Sequence, residues 1–150
     1  MASPASVGRH PIHPILVAFP IGLWVFSLVC DLVFAFGWGG PVWKDVAFYT
    51  IAGGVVGALL AAVPGLIDLL SLSDPKVKRL GIWHMSINLV AVAVFVVDLW
   101  IRRGAREAGA PVLLSVLGVI LIFISGWLGG EMVYVHGVAV EPQPQAPGRS

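Results

Sequence analysis

Eight side chains in this sequence are able to bind an ion, move a proton or hold an iron: His10, His13, Asp68, His84, Asn88, Glu131, Tyr134 and His136. Imidazole and carboxylate together make the ligand set of Fe, Cu, Zn or Mn. Two imidazoles alone are enough to clamp a haem iron axially. His84 and Asn88 lie four residues apart and share a helix face. His10-Pro11-Ile12-His13-Pro14 forms a compact pair. Pro14 suits the first helical position, which leaves His13 at a helix mouth, and Pro11 biases His10 toward extended backbone. Each residue also has a plainer reading. An interfacial histidine often has no role beyond its polarity. His84 and Asn88 could serve only to hydrogen-bond within the fold. Asp68 could pair with Lys76, Lys78 or Arg79, and Glu131 with Arg9 or a loop lysine.

The elements that position these residues follow from composition. The chain has 150 residues, 58% hydrophobic and 11% charged, with mean hydropathy +0.94. A soluble domain carries roughly 25% charged residues. Such a chain is neither a soluble globule nor a disordered one, and it lacks the basic stripe of a nucleic-acid binder. Four apolar segments stand out, at about 15–36, 46–70, 80–101 and 111–135. Each is long enough to cross a hydrocarbon core of about 30 Å as a helix. Backbone groups in lipid must be satisfied internally, so these are helices. The expected fold is an all-α membrane protein over 1–140, four transmembrane helices in a compact bundle with both termini on one side. A disordered Pro-rich tail follows at 141–150. The first segment is too long for the apolar part of a cleaved signal peptide. Asp74-Pro75 is a helix start, with Asp as the cap and Pro at the first position.

Alternating helix direction gives the eight residues one depth. His10 and His13 precede the first helix, Asp68 ends the second, His84 and Asn88 open the third, and Glu131, Tyr134 and His136 close the fourth. All four histidines of the chain fall in this layer. Ionisable residues inside a membrane are costly and mark functional sites. The Lys and Arg count, by contrast, is a tie between the two sides once the remote Arg149 is set aside, so it does not orient the bundle.

Other features read as structural. Gly53, Gly57 and Ala61 form a small-residue stripe for close helix packing. Pro20 and Pro64 are expected to kink their helices. Asp98 and Arg102 form an i,i+4 pair. The tryptophans read as an interfacial belt. Cys30, the single cysteine, reads as a small buried hydrophobe. Asp31 has no evident partner, with Lys44 one candidate and proton handling the alternative. No convincing internal repeat is legible. There is no nucleophile motif, phosphate loop or HExxH, so enzymatic activity is left open.

Several stretches carry a family resemblance. They are His10 to Val17 with Phe19-Pro20-Ile21-Gly22, then Val63 to Asp68, then Trp83-His84 with Asn88, and finally the long run Ser125 to Val138. Together they resemble the bacterial transmembrane family called domain of unknown function 2231, over roughly 9–140. The resemblance implies four membrane helices in a bacterial cytoplasmic membrane. It also implies an electron-transfer setting, because relatives are fused to Rieske-type or cytochrome c-type domains. Those fusions in turn point to termini on the extracytoplasmic side. The present chain has no CxxCH haem-attachment motif.

Three functions compete. The first is a redox-associated subunit that binds a transition metal ion or haem b. His10, His13, Asp68, His84, Glu131 and His136 are the candidate metal ligands, with Asn88 and Tyr134 orienting them. Because haem needs only two histidines, this set of six ranks an ion ahead of haem. The second is proton, ion or solute transport by a homo-oligomer through Asp31, Asp68, Asp98 and Glu131. The third is a cofactor-free assembly subunit of a respiratory complex. The expected partners are the lipid bilayer and a Rieske-type or cytochrome c-type protein.

Overall fold

A computed structural model describes residues 3–104 and 111–140 of the chain. The Pro-rich tail and the basic loop with Arg106 lie outside the described residues. Four helices account for most of the rest: α1 (Ile12–Ala35), α2 (Val42–Ser71), α3 (Pro75–Gly104) and α4 (Val112–Gly130). α4 runs on into a π-helical turn, Glu131–Val135. All four are long and apolar enough to cross a membrane.

The helix ends follow local chemistry. Asp74 Oδ1 accepts from the Lys76 and Val77 amides at 2.7 and 3.4 Å, so α3 starts at Pro75 and the α2–α3 link is only 72–74. α1 ends at Gly37, whose φ of +72° suits a residue without Cβ. The Gly37 and Trp38 amides bond back to the carbonyls of Phe34 and Val33, both at 3.0 Å. At the other end, α1 begins at Ile12 rather than at Pro14. His13 therefore sits in the first turn and not ahead of it. The segment before it is a two-stranded hairpin, Ser6–Val7 against His10–Pro11. Gly8 and Arg9 turn it with φ of +54° and +68°. Two positive φ values in a two-residue loop match the right-handed twist of the strands.

The bundle is apolar outside, and inside a small apolar cluster of Trp24, Ile51, Ala91, Phe95, Val119 and Ile122 packs among small and polar residues. Leu, Val, Ile and Phe face outward on every helix, toward lipid. Hydrophobic burial does not drive helices together in lipid, so close packing must do so. Glycines supply it. A Cβ at Gly57 would meet Phe19 at 2.8 Å, and one at Gly54 would meet the Trp24 ring at 2.4 Å. The stripe from Gly53 to Ala61 thus packs α2 on α1. Trp24 is buried, not interfacial; it stacks on Phe95 with ring centroids 4.3 Å apart and donates to the Ile51 carbonyl at 3.3 Å.

Asp31 finds its partner in Arg102, not Lys44. The Arg102 Nη1 and Nη2 groups donate to both Asp31 oxygens at 2.8 and 2.6 Å. Its Nε donates to Asp98 at 2.8 Å. The Ser115 hydroxyl lies 2.6 Å from Asp31 Oδ2, 3.0 Å from Asp98 Oδ2 and 3.0 Å from Arg102 Nη2. Asp31, Asp98 and Ser115 are fully buried. One cluster therefore ties α1, α3 and α4 together.

These contacts reveal an internal two-fold relation, which corrects the reading that the chain has no repeat. α1 matches α3 with an offset of 71 residues: His13 with His84, Trp24 with Phe95, Asp31 with Arg102. Each of these three pairs is in contact across the bundle. α2 matches α4 with an offset of 64, since Ile51, Gly54 and Ala61 correspond to Ser115, Gly118 and Ser125, all six buried. Gly54 admits Trp24, and Gly118 admits Phe95, whose ring a Cβ there would meet at 2.5 Å. The two helical hairpins are equivalent units related by an axis along the bundle.

Arg102→Ala is expected to lower stability by about 3–5 kcal/mol, because it strands two buried carboxylates. Denaturant unfolding of the detergent-solubilised protein measures this.

Candidate functional site

The two-fold axis brings His13 and His84 together at the end of the bundle where the chain begins. Their ring centroids are 6.2 Å apart and their planes are nearly perpendicular, at 85°. Each ring sits in the same cradle. His13 Nδ1 lies 2.8 Å from the Ala61 carbonyl, and His84 Nδ1 lies 2.9 Å from the Ser125 carbonyl. A carbonyl only accepts, so Nδ1 carries a proton in both rings, and Nε2 is the atom that offers a lone pair when the ring is neutral. One turn beyond each carbonyl stands a glycine that leaves room for the imidazole. A Cβ at Gly65 would lie 2.7 Å from His13 Nδ1, and one at Gly129 would lie 3.2 Å from His84 Cε1. The cradles are related by the same offsets as the rest of the bundle.

The site departs from symmetry in its outer contacts. The Asn88 amide donates to His84 Nε2 at 3.1 Å, while the position equivalent to Asn88 in α1 is Val17. The Ser125 hydroxyl adds contacts to His84, 3.0 Å from Nδ1 and 3.3 Å from the carbonyl oxygen. Over this end lies the N-terminal hairpin. Asp68 Oδ1 accepts from the Ser3 hydroxyl at 2.6 Å and from the Ala5 amide at 3.4 Å. Ala5 is buried, and its carbonyl receives the Ile12 amide at 2.9 Å. Asp68 is thus a latch for the strap over 3–11, with Ser3 as its partner in place of the loop lysines or Arg79.

The structure thus gathers His13, His84 and Asn88 and holds the other five candidates elsewhere. His10 is exposed on the hairpin and bonds to the Gly8 carbonyl at 2.8 Å. His136 is exposed at the end of the π-helical turn. Tyr134 is 90% exposed. Glu131 lines a groove between α1 and α4. Asp68 belongs to the strap. Among the described residues, no three His, Cys, Asp or Glu side chains lie close enough together to hold one ion. Ser125, Gly65 and Gly129 shape the site, and in the sequence they stand out only as members of the stretches that carry the family resemblance, not as site residues. The equal spacing of His13 to Trp24 and of His84 to Phe95 could have exposed them through the repeat.

Four membrane-crossing helices around a buried charge cluster and a histidine pair define a polytopic integral membrane protein of the four-helix-bundle class. The chain belongs to the domain of unknown function 2231 family, described as a predicted membrane protein (DUF2231), whose profile matches residues 9–142. No curated protein and no solved structure matches the chain.

Replacing Asp68 with Ala removes both contacts to the strap. Amide hydrogen exchange at Ala5 and at Ile12 is expected to rise about tenfold, the scale of one hydrogen bond to a charged group. Exchange within the helices should not change.

Proposed function

We propose that this protein is a small redox-associated membrane subunit whose transition-metal centre is held between His13 and His84. The carrying observation is the pair of imidazoles whose Nδ1–H groups are both anchored on backbone carbonyls. That anchoring fixes ring orientation and reserves Nε2 as the ligand atom. With ring centroids 6.2 Å apart, the two imidazoles are near enough that both would reach a single metal held between them.

The donor set favours haem b iron over a bare ion. A haem iron would need only two protein ligands, which His13 and His84 would supply, and it would bring one-electron chemistry. A four-coordinate ion would need two further donors, and His10, Asp68, Glu131 and His136 are engaged or directed elsewhere. For either group, His13 and His84 supply the ligands and Asn88 must release His84 Nε2. The Ala61 and Ser125 carbonyls hold the rings, and the strap over 3–11 limits water at this end. An electron-transfer partner of Rieske or cytochrome c type would meet this end, on the extracytoplasmic side of a bacterial cytoplasmic membrane.

The test is made on protein purified in mild detergent without metal-affinity resin. Oxidised and dithionite-reduced visible spectra are recorded with elemental analysis of the same sample. A Soret band with sharp reduced α and β bands is expected, lost equally in His13→Ala and His84→Ala and kept in His10→Ala and His136→Ala. A colourless sample with near-stoichiometric Fe, Cu, Zn or Mn, lost in the same two variants, would assign the centre to an ion. A protein with neither spectrum nor metal would sink the proposal and leave transport or assembly as the function.

A further inference from the structure

We infer that the groove between α1 and α4 is a binding site for an isoprenoid hydroquinone, a flat dihydroxy-aromatic head on an apolar tail. This goes beyond the metal centre and does not depend on it, because it concerns binding and rests on other residues. The groove is open along its outer side and holds about 580 Å³, a volume within the range of roughly 300–1,000 Å³ typical of small-molecule sites. Ile21, Phe123 and Trp127 line its walls, and Gly126 and Gly130 open its floor.

Those two glycines, like Gly22 on α1, differ from the glycines that seat a side chain of a neighbouring helix. Gly54, Gly57, Gly65 and Gly118 each face a ring that a Cβ would strike. A Cβ at Gly126 would meet nothing within 4 Å, and one at Gly130 would meet only Tyr134, at 3.9 Å. Helix packing within the chain does not call for them; their effect is to leave a hollow. The two-fold relation supplies the control. On the equivalent α2–α3 seam, Gly126 and Gly130 are replaced by Ala62 and Leu66, and Trp127 by Val63. The pair of glycines is present on one seam only.

The polar end of the groove is equally one-sided. Glu131 and Tyr134 lie there, where the equivalent positions are Ile67 and Leu70. Among the described residues, the Glu131 carboxylate has no hydrogen-bond or ion-pair partner. A carboxylate on an apolar, lipid-facing groove is costly unless a donor reaches it. A hydroquinone hydroxyl is such a donor, the aromatic side chains suit its flat ring, and the apolar walls suit its tail. A plain acyl chain would use the walls and leave Glu131 unsatisfied. A second copy of this chain docked symmetrically through Gly126 and Gly130 would bring two Glu131 carboxylates toward each other.

The protein is reconstituted in quinone-free phospholipid nanodiscs and labelled with a photoreactive hydroquinone bearing a decyl tail. Labelled peptides are mapped by mass spectrometry. Labelling is expected within 122–135 and around Ile21, displaced by unlabelled decyl hydroquinone. Glu131→Gln should weaken that displacement about tenfold, the scale of one charge-assisted hydrogen bond. Gly130→Leu, which copies the equivalent position on the other seam, should abolish labelling. Melting temperature and helical circular dichroism verify that both variants fold, and Trp127→Ala provides a second surface variant expected to weaken labelling. Equal labelling of the α2–α3 seam at Leu59 and Leu66 would overturn the proposal in favour of bulk lipid. Crosslinks between copies through Gly126 and Gly130 would overturn it in favour of a dimer face. Unchanged affinity in Glu131→Gln would overturn the role of the carboxylate and with it the assignment of a hydroxyl-bearing head.

Discussion

The architecture depends on one guanidinium. Arg102 carries a full charge into the bundle and reaches Asp31, Asp98 and Ser115. In lipid there is no water to fall back on, so a separated hairpin would expose unpaired carboxylates or an unpaired cation to hydrocarbon. The apolar faces do not resist separation, since lipid tails solvate Leu and Val as well as another helix does. What resists it is the bidentate contact from α3 to α1, helped by the hydroxyl of α4. The glycine cradles and the Trp24–Phe95 stack then set the distance between hairpins whose pairing the ion cluster has made obligatory.

That cluster also gives a physical reason for two equivalent hairpins to sit in one chain. In a dimer of identical hairpins, a residue on the axis faces its own copy. His opposite His and an aromatic ring opposite an aromatic ring are tolerable there. Asp opposite Asp or Arg opposite Arg would be a buried pair of like charges, strongly unfavourable at low dielectric. Within a single chain the two positions vary independently, and position 31 is acidic where position 102 is basic. The same freedom set Asp98 against Ser27 and Ser115 against Ile51, and completed a network that no symmetric dimer could form.

Helix number, helix type and the layer of polar residues were legible because each depends on composition or on period. Twenty-odd apolar residues with a single charge have one solution in a bilayer. The Asp98–Arg102 pair was legible because i,i+4 spacing is local. Asp31 was opaque for the opposite reason, since its partner lies 71 residues away and only the fold brings them together. The repeat is faint in the sequence because lipid-facing positions accept nearly any apolar residue, which leaves the match to a few buried positions such as His13 and His84. One depth did not mean one site. Glu131 and His13 share a level but lie on different faces, and helical phase at a membrane end is too loosely defined by sequence to separate them. The N-terminal hairpin was hidden because Arg9 adopts a left-handed conformation that is uncommon for a side chain of its kind.

Departures from the two-fold are informative because the fold does not require them. Near Arg102 they cancel: the acid, the base and the hydroxyl that break symmetry are one another's partners, and that end of the bundle is closed chemically. At the histidine end they do not cancel. Asn88 bonds to one imidazole and has no counterpart at Val17, Asp68 holds the strap and corresponds to Met132, and Glu131 faces the α1–α4 groove where the equivalent residue is Ile67. Packing alone would have favoured the aliphatic residues present at the equivalent positions. The polarity without a counterpart on the other hairpin therefore collects at this end, around the histidine pair and the open groove, which is where a bound group or partner has Glu131 left to satisfy.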